Sequence, residues 1–215
     1  MKPIIVTGTD TGVGKTVVSA MLTLAFDAYY WKPIQSGLDG RTDTETIAEI
    51  AGITADRLLP ERYRLRNAVS PHQAAERDGI QIEPEALELP VIPPGRCLII
   101  EGAGGVLVPL TRTLLQIELF ARWQAPVVVV ARTALGTINH TLLSIEALKK
   151  RSIPILGIVF VGAEFAETQR AIVAFSGVRA LGRVPFLKRL NEYTLRAAFA
   201  DFQSDDIIGA DVPLN

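Results

Sequence analysis

The sequence has one cysteine, two histidines and almost no net charge. Because Cys97 is the only cysteine, no disulfide can form within the chain, and its apolar neighbours indicate a buried, inert thiol. His72 and His140 are too few for a histidine-rich metal centre. The formal net charge of −1 provides no overall field that would attract nucleic acid or an anionic membrane. We therefore expect neither of those partners.

Long hydrophobic runs are also missing. The longest apolar run, residues 125–131, is far shorter than the roughly 20 residues that a membrane-spanning helix needs. The printed sequence passes from Met1 almost directly into a predicted strand, without a signal-peptide pattern. We therefore expect a cytoplasmic location. The proportions of hydrophobic residues (48 %) and charged residues (21 %) are typical of a globular protein, and we expect one domain over residues 1–215.

Short β-rich runs alternate with segments of helical periodicity along the chain. The predicted strands cover residues 3–7, 28–33, 97–100, 126–130, 155–161 and 178–184. The predicted helices lie at residues 17–22, 43–51, 71–78, 83–89, 114–123, 139–150, 164–175 and 191–202, followed by an irregular tail from Ser204. Several strands are apolar throughout, which is typical of strands covered on both sides. The alternation predicts an α/β fold with a mostly parallel sheet and helices on both faces.

The most specific motif is the segment from Gly8 to Thr16, the phosphate loop, which reads Gly-Thr-Asp-Thr-Gly-Val-Gly-Lys-Thr. It joins a predicted strand to a predicted helix, and this context favours a phosphate site over a chance Gly-Lys-Thr at a helix start. Glycines let backbone N–H groups point at phosphate oxygens, while the helix N-terminus adds partial positive charge. Lys15 can reach the β and γ phosphates, and the Thr16 hydroxyl can hold Mg²⁺. Thr9 stands where the usual pattern has its first glycine.

Three further polar clusters follow predicted strands, at residues 32–37, 101–105 and 133–140. In open parallel sheets, ligands bind beyond the carboxyl ends of the strands. Lys32 alone would be an ordinary solvated lysine. Beside a phosphate loop it becomes a candidate second cation for a γ-phosphoryl group, because phosphoryl transfer needs cations already in place.

Two carboxylates are candidates for holding Mg²⁺. Glu101 ends an apolar strand and precedes four small residues, so we favour a metal ligand over a surface carboxylate. Asp43 begins a predicted helix, where an acid stabilised by the helix dipole is an equally good interpretation. Asp39 and Glu45 compete with Asp43 for the same role.

The motifs together, in this order, resemble those of the dethiobiotin synthetase family. The matching segments are the phosphate loop, Lys32-Pro33-x-x-Ser36-Gly37, Ser70-Pro71-His72, Glu101-Gly102-Ala103-Gly104-Gly105 and Gly136-x-Ile138-Asn139-His140. They fall between residue 6 and about residue 187. The resemblance implies a P-loop NTPase-like fold and an ATP- and Mg²⁺-dependent ligase of biotin biosynthesis. It also implies a homodimer with the substrate site across the interface.

The implied reaction joins 7,8-diaminononanoate to CO₂, which bicarbonate supplies in solution. One amine takes up CO₂ to form a carbamate, and the carbamate oxygen attacks the γ-phosphate of ATP. The second amine then attacks the mixed anhydride, which closes the ureido ring of dethiobiotin and releases phosphate beside ADP.

By matching position, the resemblance also implies roles for individual residues. Lys15 and Lys32 would be catalytic residues. Thr16, Asp43 and Glu101 would bind Mg²⁺. Substrate contacts fall to Thr11, Ser36, Thr137, Ile138 and Asn139, the last three in the other subunit. Nucleotide contacts fall to Gly12, Val13, Gly14, Lys15, Thr16, Val17, Asp43, Glu101, Gly102, Ala103, Gly104, Pro185, Phe186, Leu187 and Glu192.

Three features depart from the family pattern, and one of them is the loose match of residues 185–187 and Glu192 to the last nucleotide segment. Gly12 stands where members often carry Glu, which removes a carboxylate from the substrate side. Val161 stands where an adenine-reading Asn is frequent, so other nucleoside triphosphates stay candidates beside ATP.

Two other functions compete with the interpretation as a synthetase. One is another phosphate-loop ATP-dependent ligase, such as an amide-forming synthetase. Those enzymes usually carry a glutaminase domain with a nucleophilic cysteine, and this chain has only Cys97, inside a predicted strand. The other is a nucleotide-switch ATPase of the partitioning type. Those carry a second lysine early in the loop, where this chain has Thr9 and Asp10.

Overall fold

A computed structural model describes residues 3–202 and residue 207. The irregular tail predicted from Ser204 lies, apart from residue 207, outside the described residues. The strands are β1 Ile4–Gly8, β2 Tyr29–Trp31, β3 Ile34–Ser36, β4 Leu58–Leu59, β5 Tyr63–Leu65, β6 Leu98–Gly105, β7 Val127–Arg132, β8 Ile155–Val161 and β9 Ala180–Val184. Seven of them form one sheet in the order β4-β2-β6-β1-β7-β8-β9, in which all pairings are parallel. β3 and β5 form a second, two-stranded parallel sheet.

The helices connect these strands. They are α1 Lys15–Ala25, α2 Asp43–Ala51, α3 Pro71–Asp78, α4 Gln116–Trp123, α5 Thr137–Lys149, α6 Ala166–Ser176 and α7 Glu192–Phe199, with 3₁₀ turns at Ala55–Arg57 and Pro84–Leu87. The helix predicted over residues 83–89 is only the second of these turns, because the prolines that follow prevent its continuation. Among the described residues, no helix has the length and apolar character needed to cross a bilayer.

Hydrophobic cores lie on both faces of the large sheet. Ile4 and Val6 of β1 point to one face, where α1 contacts both α2 and α7. Ile5, between them, points to the other face and packs with Ile117 and Phe120 of α4. Because both faces are covered, the four valines of β7 are all buried, which explains why that strand does not alternate. The predicted mostly parallel sheet with helices on both faces is confirmed.

The strand that carries Glu101 is longer than predicted. β6 continues through Gly105, so the Glu-Gly-Ala-Gly-Gly segment is part of the sheet and not a loop after it. The packing of α4 explains why one residue of this segment, Gly102, is a glycine. A Cβ atom there would lie 3.0 Å from Gln116 Nε2 and 3.1 Å from Phe120 Cζ, so glycine allows α4 to pack closely against β6.

Candidate active site

The phosphate loop turns sharply from β1 into α1. Gly14, the residue before the helix, has φ of 98°, and a Cβ atom on it would lie 2.9 Å from Val161 Cγ1. Glycine therefore satisfies both the backbone conformation and the close packing at this position. Within the described residues, no side chain caps the start of α1, so its first N–H groups are available to an anion.

Lys15 is buried at the base of this loop, and its Nζ donates to the carbonyl of Asp10 at 3.0 Å. Burial disfavours the charged form and, with the nearby charge of Lys32, lowers the pKa of Lys15 from 10.5 to about 8. Glu101 and Asp43 act in the opposite direction but do not outweigh these effects. A bound phosphate would favour the charged form of this ammonium.

Three oxygen-bearing side chains from different elements meet beside Lys15. The Thr16 hydroxyl, at the start of α1, lies 2.9 Å from Asp43 Oδ1 and 2.9 Å from Glu101 Oε1. Since it carries a single proton, it can donate to only one of the two carboxylates at a time. Two carboxylates and a hydroxyl are the hard oxygen ligands that Mg²⁺ takes in nucleotide sites. The residues present therefore fit a magnesium ion.

The competing carboxylates lie elsewhere. Glu45 closes a capping box, since its Oε2 accepts from the backbone N–H of Thr42 at 2.9 Å. Asp39 is exposed. Across residues 3–202 and 207, no three His, Cys, Asp or Glu side chains cluster as a metal site. The arrangement thus favours Asp43 and Glu101, assisted by a hydroxyl, as the carboxylate pair.

Lys32 is the counter-ion of both carboxylates. Its Nζ lies 2.7 Å from Asp43 Oδ2 and 3.1 Å from Glu101 Oε1, and it also donates to the carbonyl of Gly102 at 3.3 Å. Burial alone would lower the pKa of Lys32, but the two carboxylates outweigh it and the pKa lies above its ordinary value. Burial alone would likewise raise the pKa of Asp43, but Lys32 holds it below its ordinary value.

A central cavity of about 550 Å³ opens in front of these groups. Its walls include the predicted residues Thr11, Gly12, Gly14, Lys15, Thr16, Val17, Lys32, Ser36, Asp43, Glu101, Ala103 and Gly104. Ser36 Oγ is buried and has no hydrogen-bond partner among the described residues. This orphaned hydroxyl is available to a ligand in the cavity.

The structure adds cavity residues that the sequence analysis did not single out. Gln35 is buried, and its Oε1 accepts from the backbone N–H of Asp43 at 3.2 Å, which anchors the start of α2. Ala68 and Val69, just before α3, also line the cavity, beside Ser70 and Pro71 of the predicted Ser70-Pro71-His72 motif. Gln35 lies within Lys32-Pro33-x-x-Ser36-Gly37, so its position in that motif is the one available signal.

A side cavity of about 580 Å³ lies on the other side of the phosphate loop. It is lined by Gly12, Val13, Gly14, Arg132, Thr133, Ala134, Val161, Ala163, Phe165 and Phe186. Phe165 and Phe186 are 52 % and 81 % exposed, so both present apolar surface at this cavity. Of the predicted nucleotide segment 185–187 only Phe186 lines this cavity, and Glu192 pairs with Arg196 on α7.

The predicted substrate residues on α5 lie outside the central cavity. Thr137 is buried, whereas Ile138 and Asn139 are exposed at the start of the helix. Gly136 precedes them with φ of 90°, and no side chain in the described part of the chain caps the helix there. A groove of about 310 Å³, the α5 groove, is lined by Thr11 of the phosphate loop and by Leu143 of α5, among others.

Comparison with known proteins shows the family of this chain. A family model described as an AAA domain matches residues 2–194. An ATP-dependent dethiobiotin synthetase from Rhodopseudomonas palustris strain TIE-1 is 56 % identical and aligns over 96 % of this chain and 97 % of its own. Another, from Nitrobacter hamburgensis, is 57 % identical over 95 % of this chain and 96 % of its own. The chain belongs to the dethiobiotin synthetase family.

Solved structures show the fold that this dethiobiotin synthetase family member shares with other nucleotide-binding proteins. The cell division ATPase MinD from Pyrococcus furiosus superposes with a TM-score of 0.57 and covers 97 % of this chain and 99 % of its own. At 14 % identity this likeness concerns the fold alone. The predicted P-loop NTPase-like fold is confirmed, and family membership favours the synthetase over the switch ATPase and the other ligases.

Proposed function

We propose that this member of the dethiobiotin synthetase family closes the ureido ring of dethiobiotin from 7,8-diaminononanoate and CO₂ in its central cavity, with ATP as the phosphate donor. The observation that carries this assignment is the pairing of buried Lys32 with two carboxylates, next to the buried Lys15 of the phosphate loop. Lys32 Nζ lies 2.7 Å from Asp43 and 3.1 Å from Glu101, next to the buried ammonium of Lys15. Such preformed positive charge stabilises a phosphoryl group during its transfer.

The reaction divides into three bond-forming steps. One amine of the substrate adds to CO₂ and loses a proton, which gives a carbamate. A carbamate oxygen then attacks the γ-phosphorus, and ADP leaves. The second amine attacks the carbonyl carbon of the mixed anhydride, phosphate leaves with the former carbamate oxygen, and a proton is lost as the ring closes.

Lys15 and Lys32 are the proposed catalytic residues. Lys15 lies at the start of α1, where the loop N–H groups and the helix dipole also favour phosphate. Lys32 enters from the end of β2 and faces the same cavity. Together they offset the charge that spreads over the transferring phosphoryl oxygens and the carbamate.

Thr16, Asp43 and Glu101 are the proposed Mg²⁺ ligands. The two carboxylates share the Thr16 hydroxyl at 2.9 Å, so little rearrangement is needed to direct three oxygens to one ion. When bound there, Mg²⁺ would neutralise charge on the β and γ phosphates. The chain's own part is to hold the carboxylates in place before nucleotide arrives.

We also propose that the substrate site is completed by a second copy of the chain. Thr11 and Ser36 line the central cavity, whereas Thr137, Ile138 and Asn139 lie outside it. The uncapped start of α5 suits a carboxylate, such as the tail of the substrate. Leu135 is fully exposed and Leu143 is 57 % exposed on the same region, which suits an interface between subunits.

The side cavity is the proposed site of the nucleotide base. Gly12, Val13 and Gly14 separate it from the central cavity, so a nucleotide with its phosphates in the loop can extend into it. Its walls are mostly apolar, with Val161 among them. We expect stacking to provide most of the binding of the base at this cavity. Other nucleoside triphosphates therefore stay candidates beside ATP. Three predicted nucleotide contacts remain. Pro185 and Leu187 are the sequence neighbours of Phe186, and Glu192 lies on α7.

One experiment tests this function. The protein is incubated with MgATP and with 7,8-diaminononanoate and ¹⁸O-labelled bicarbonate, singly and together, while ADP and dethiobiotin are measured. ADP release should require both substrates, and the released phosphate should carry one ¹⁸O from the carbamate. ADP release at the same rate without them, or unlabelled phosphate, would contradict the proposal. We also propose that residues 1–215 form one domain and that the protein acts in the cytoplasm.

A further inference from the structure

Tyr30 is a buried phenol at the metal site that none of the motifs contains. It lies in the middle of β2 and is completely buried, one of the largest such side chains in the described part of the chain. Its hydroxyl donates to Glu101 Oε2 at 3.1 Å. A tyrosine in a core is usually explained by packing, but here its polar end reaches a proposed metal ligand.

The sheet register explains this contact. Tyr30 is paired with Ile99 of β6, and Glu101 follows Ile99 by two residues on the same strand. Alternate residues of a strand point to the same face, so Tyr30, Ile99 and Glu101 share one side of the sheet. The phenol therefore extends along the strand direction toward the carboxylate. The contact is built into the backbone pairing and does not depend on a loop.

The two oxygens of Glu101 consequently have different partners. Oε1 faces the central cavity, where the Thr16 hydroxyl lies at 2.9 Å and Lys32 Nζ at 3.1 Å. Oε2 faces the core and is held by Tyr30 at 3.1 Å. A carboxylate held in this way offers one oxygen to the cavity and keeps the other away from it.

We propose that Tyr30 is a positioning residue that makes Glu101 a one-oxygen ligand and thereby favours Mg²⁺ over Ca²⁺ at this site. Mg²⁺ requires near-octahedral geometry with short bonds, whereas the larger Ca²⁺ takes six to eight oxygens and readily accepts both oxygens of one carboxylate. Fixing Glu101 by its second oxygen disfavours that wider arrangement. The inference rests on the proposed role of Glu101 as a metal ligand.

The Tyr30 hydroxyl donates and Oε2 of Glu101 accepts, so the hydrogen bond restrains that carboxylate oxygen. Hydrogen bonds to groups that ligate a metal commonly change metal affinity or activity by 10–100-fold when removed.

The test compares Tyr30→Phe with Tyr29→Phe. Tyr30→Phe keeps the ring and deletes the hydroxyl that holds Glu101. Tyr29→Phe deletes a hydroxyl from the neighbouring residue of β2, whose ring packs on the other core beneath Arg96. Mg²⁺ and Ca²⁺ are titrated separately into the protein–ADP complex by calorimetry, and thermal unfolding is recorded for each variant.

In Tyr30→Phe we expect the Kd for Mg²⁺ to rise roughly tenfold. The Kd for Ca²⁺ should rise less or fall, so that the ratio of the two constants shifts toward Ca²⁺. Tyr29→Phe should keep the wild-type ratio. A general loss of packing would weaken both ions alike and lower the unfolding temperature, and an unchanged ratio in Tyr30→Phe overturns the inference.

Glu101→Gln separates this inference from the proposed function. If Glu101→Gln weakens Mg²⁺ binding and Tyr30→Phe leaves the ratio unchanged, Glu101 is a ligand and the role of Tyr30 is wrong. If Glu101→Gln itself leaves Mg²⁺ binding unchanged, the proposed metal site is wrong, and the role of Tyr30 is wrong with it.

Discussion

The ammonium of Lys32 lies 2.7 Å from Oδ2 of Asp43, so the proposed catalytic cation is paired with a proposed metal ligand. Glu101 is the second carboxylate partner of the same ammonium, at 3.1 Å. The positive charge of Lys32 therefore lies against both carboxylates. A metal ion at these carboxylates would weaken their hold on Lys32 and leave its charge available to a phosphoryl group.

Lys32→Met tests this relationship, because it keeps much of the side-chain length and removes the charge. Turnover should fall by about 100-fold or more, since a preformed charge at the transferring group is lost. ADP should still bind, because the phosphate loop and Lys15 are unchanged. Rates of ADP release and ADP binding constants measure these two effects.

The same variant should respond more strongly to Mg²⁺. Removing one partner of a buried ion pair costs about 3–5 kcal/mol, because the carboxylates are left uncompensated. Mg²⁺ can replace the missing charge, so it should raise the unfolding temperature of Lys32→Met more than that of the wild type. Lys150→Met, at the exposed end of α5, is the control and should behave as wild type. An undiminished turnover in Lys32→Met would remove Lys32 from the mechanism.

Nucleotide affinity should depend on pH through Lys15. Its pKa in the free protein is lowered to about 8, mainly by burial, so the ammonium loses its proton as the pH rises through that value. Phosphate favours the charged form, so binding is strongest below pH 8 and weakens above it. Calorimetric titrations with ADP from pH 7 to 9.5 should show this decline, with proton uptake on binding near and above pH 8.

Lys15→Arg provides the comparison for the pH series. Arginine stays charged over the whole range, so any remaining affinity for ADP should be flat where the wild type declines. A decline of the same size in Lys15→Arg would assign the pH dependence to another group.

Leu143→Glu should dissociate the proposed homodimer. Leu143 is 57 % exposed in the α5 groove, and a carboxylate there would be buried against the other subunit. We expect a monomer by sedimentation, a raised KM for 7,8-diaminononanoate and an unchanged Kd for ADP. Phe175→Glu replaces an apolar side chain that is 80 % exposed on α6, and it should stay dimeric. A dimeric Leu143→Glu protein would place the interface elsewhere.

Phe186 should contribute to the binding of every nucleoside triphosphate. Phe186 is 81 % exposed and lines the side cavity, and stacking of an aromatic ring on a base is worth about 1–3 kcal/mol. Phe186→Ala should therefore raise the KM values for ATP, GTP and CTP by similar factors. We expect the wild-type KM values for the three to differ by less than about tenfold. A strong preference for ATP that Phe186→Ala abolishes would instead indicate that the pocket reads the base.

Much of this protein could be predicted from local pattern. The strand before Gly8, the glycine at position 14 and the helix that begins at Lys15 follow from neighbouring residues, because turns and helix starts are set by short-range sterics. The apolar strands and the parallel sheet follow likewise from composition and periodicity. The two-residue β4 and the three-residue β3 and β5 were not predicted, since runs so short have no detectable period.

Only the tertiary structure decided how the chemical groups combine. Thr16 meets Glu101 across 85 positions of sequence because β6 inserts between β1 and β2, an order that no local pattern specifies. The same strand order places the Tyr30 hydroxyl within hydrogen-bonding distance of Glu101. The sequence by itself thus determined which residue types could bind a nucleotide. The order of the strands determined which carboxylates face one another, because hydrogen bonds and ion pairs act over a few ångströms of space and not along the chain.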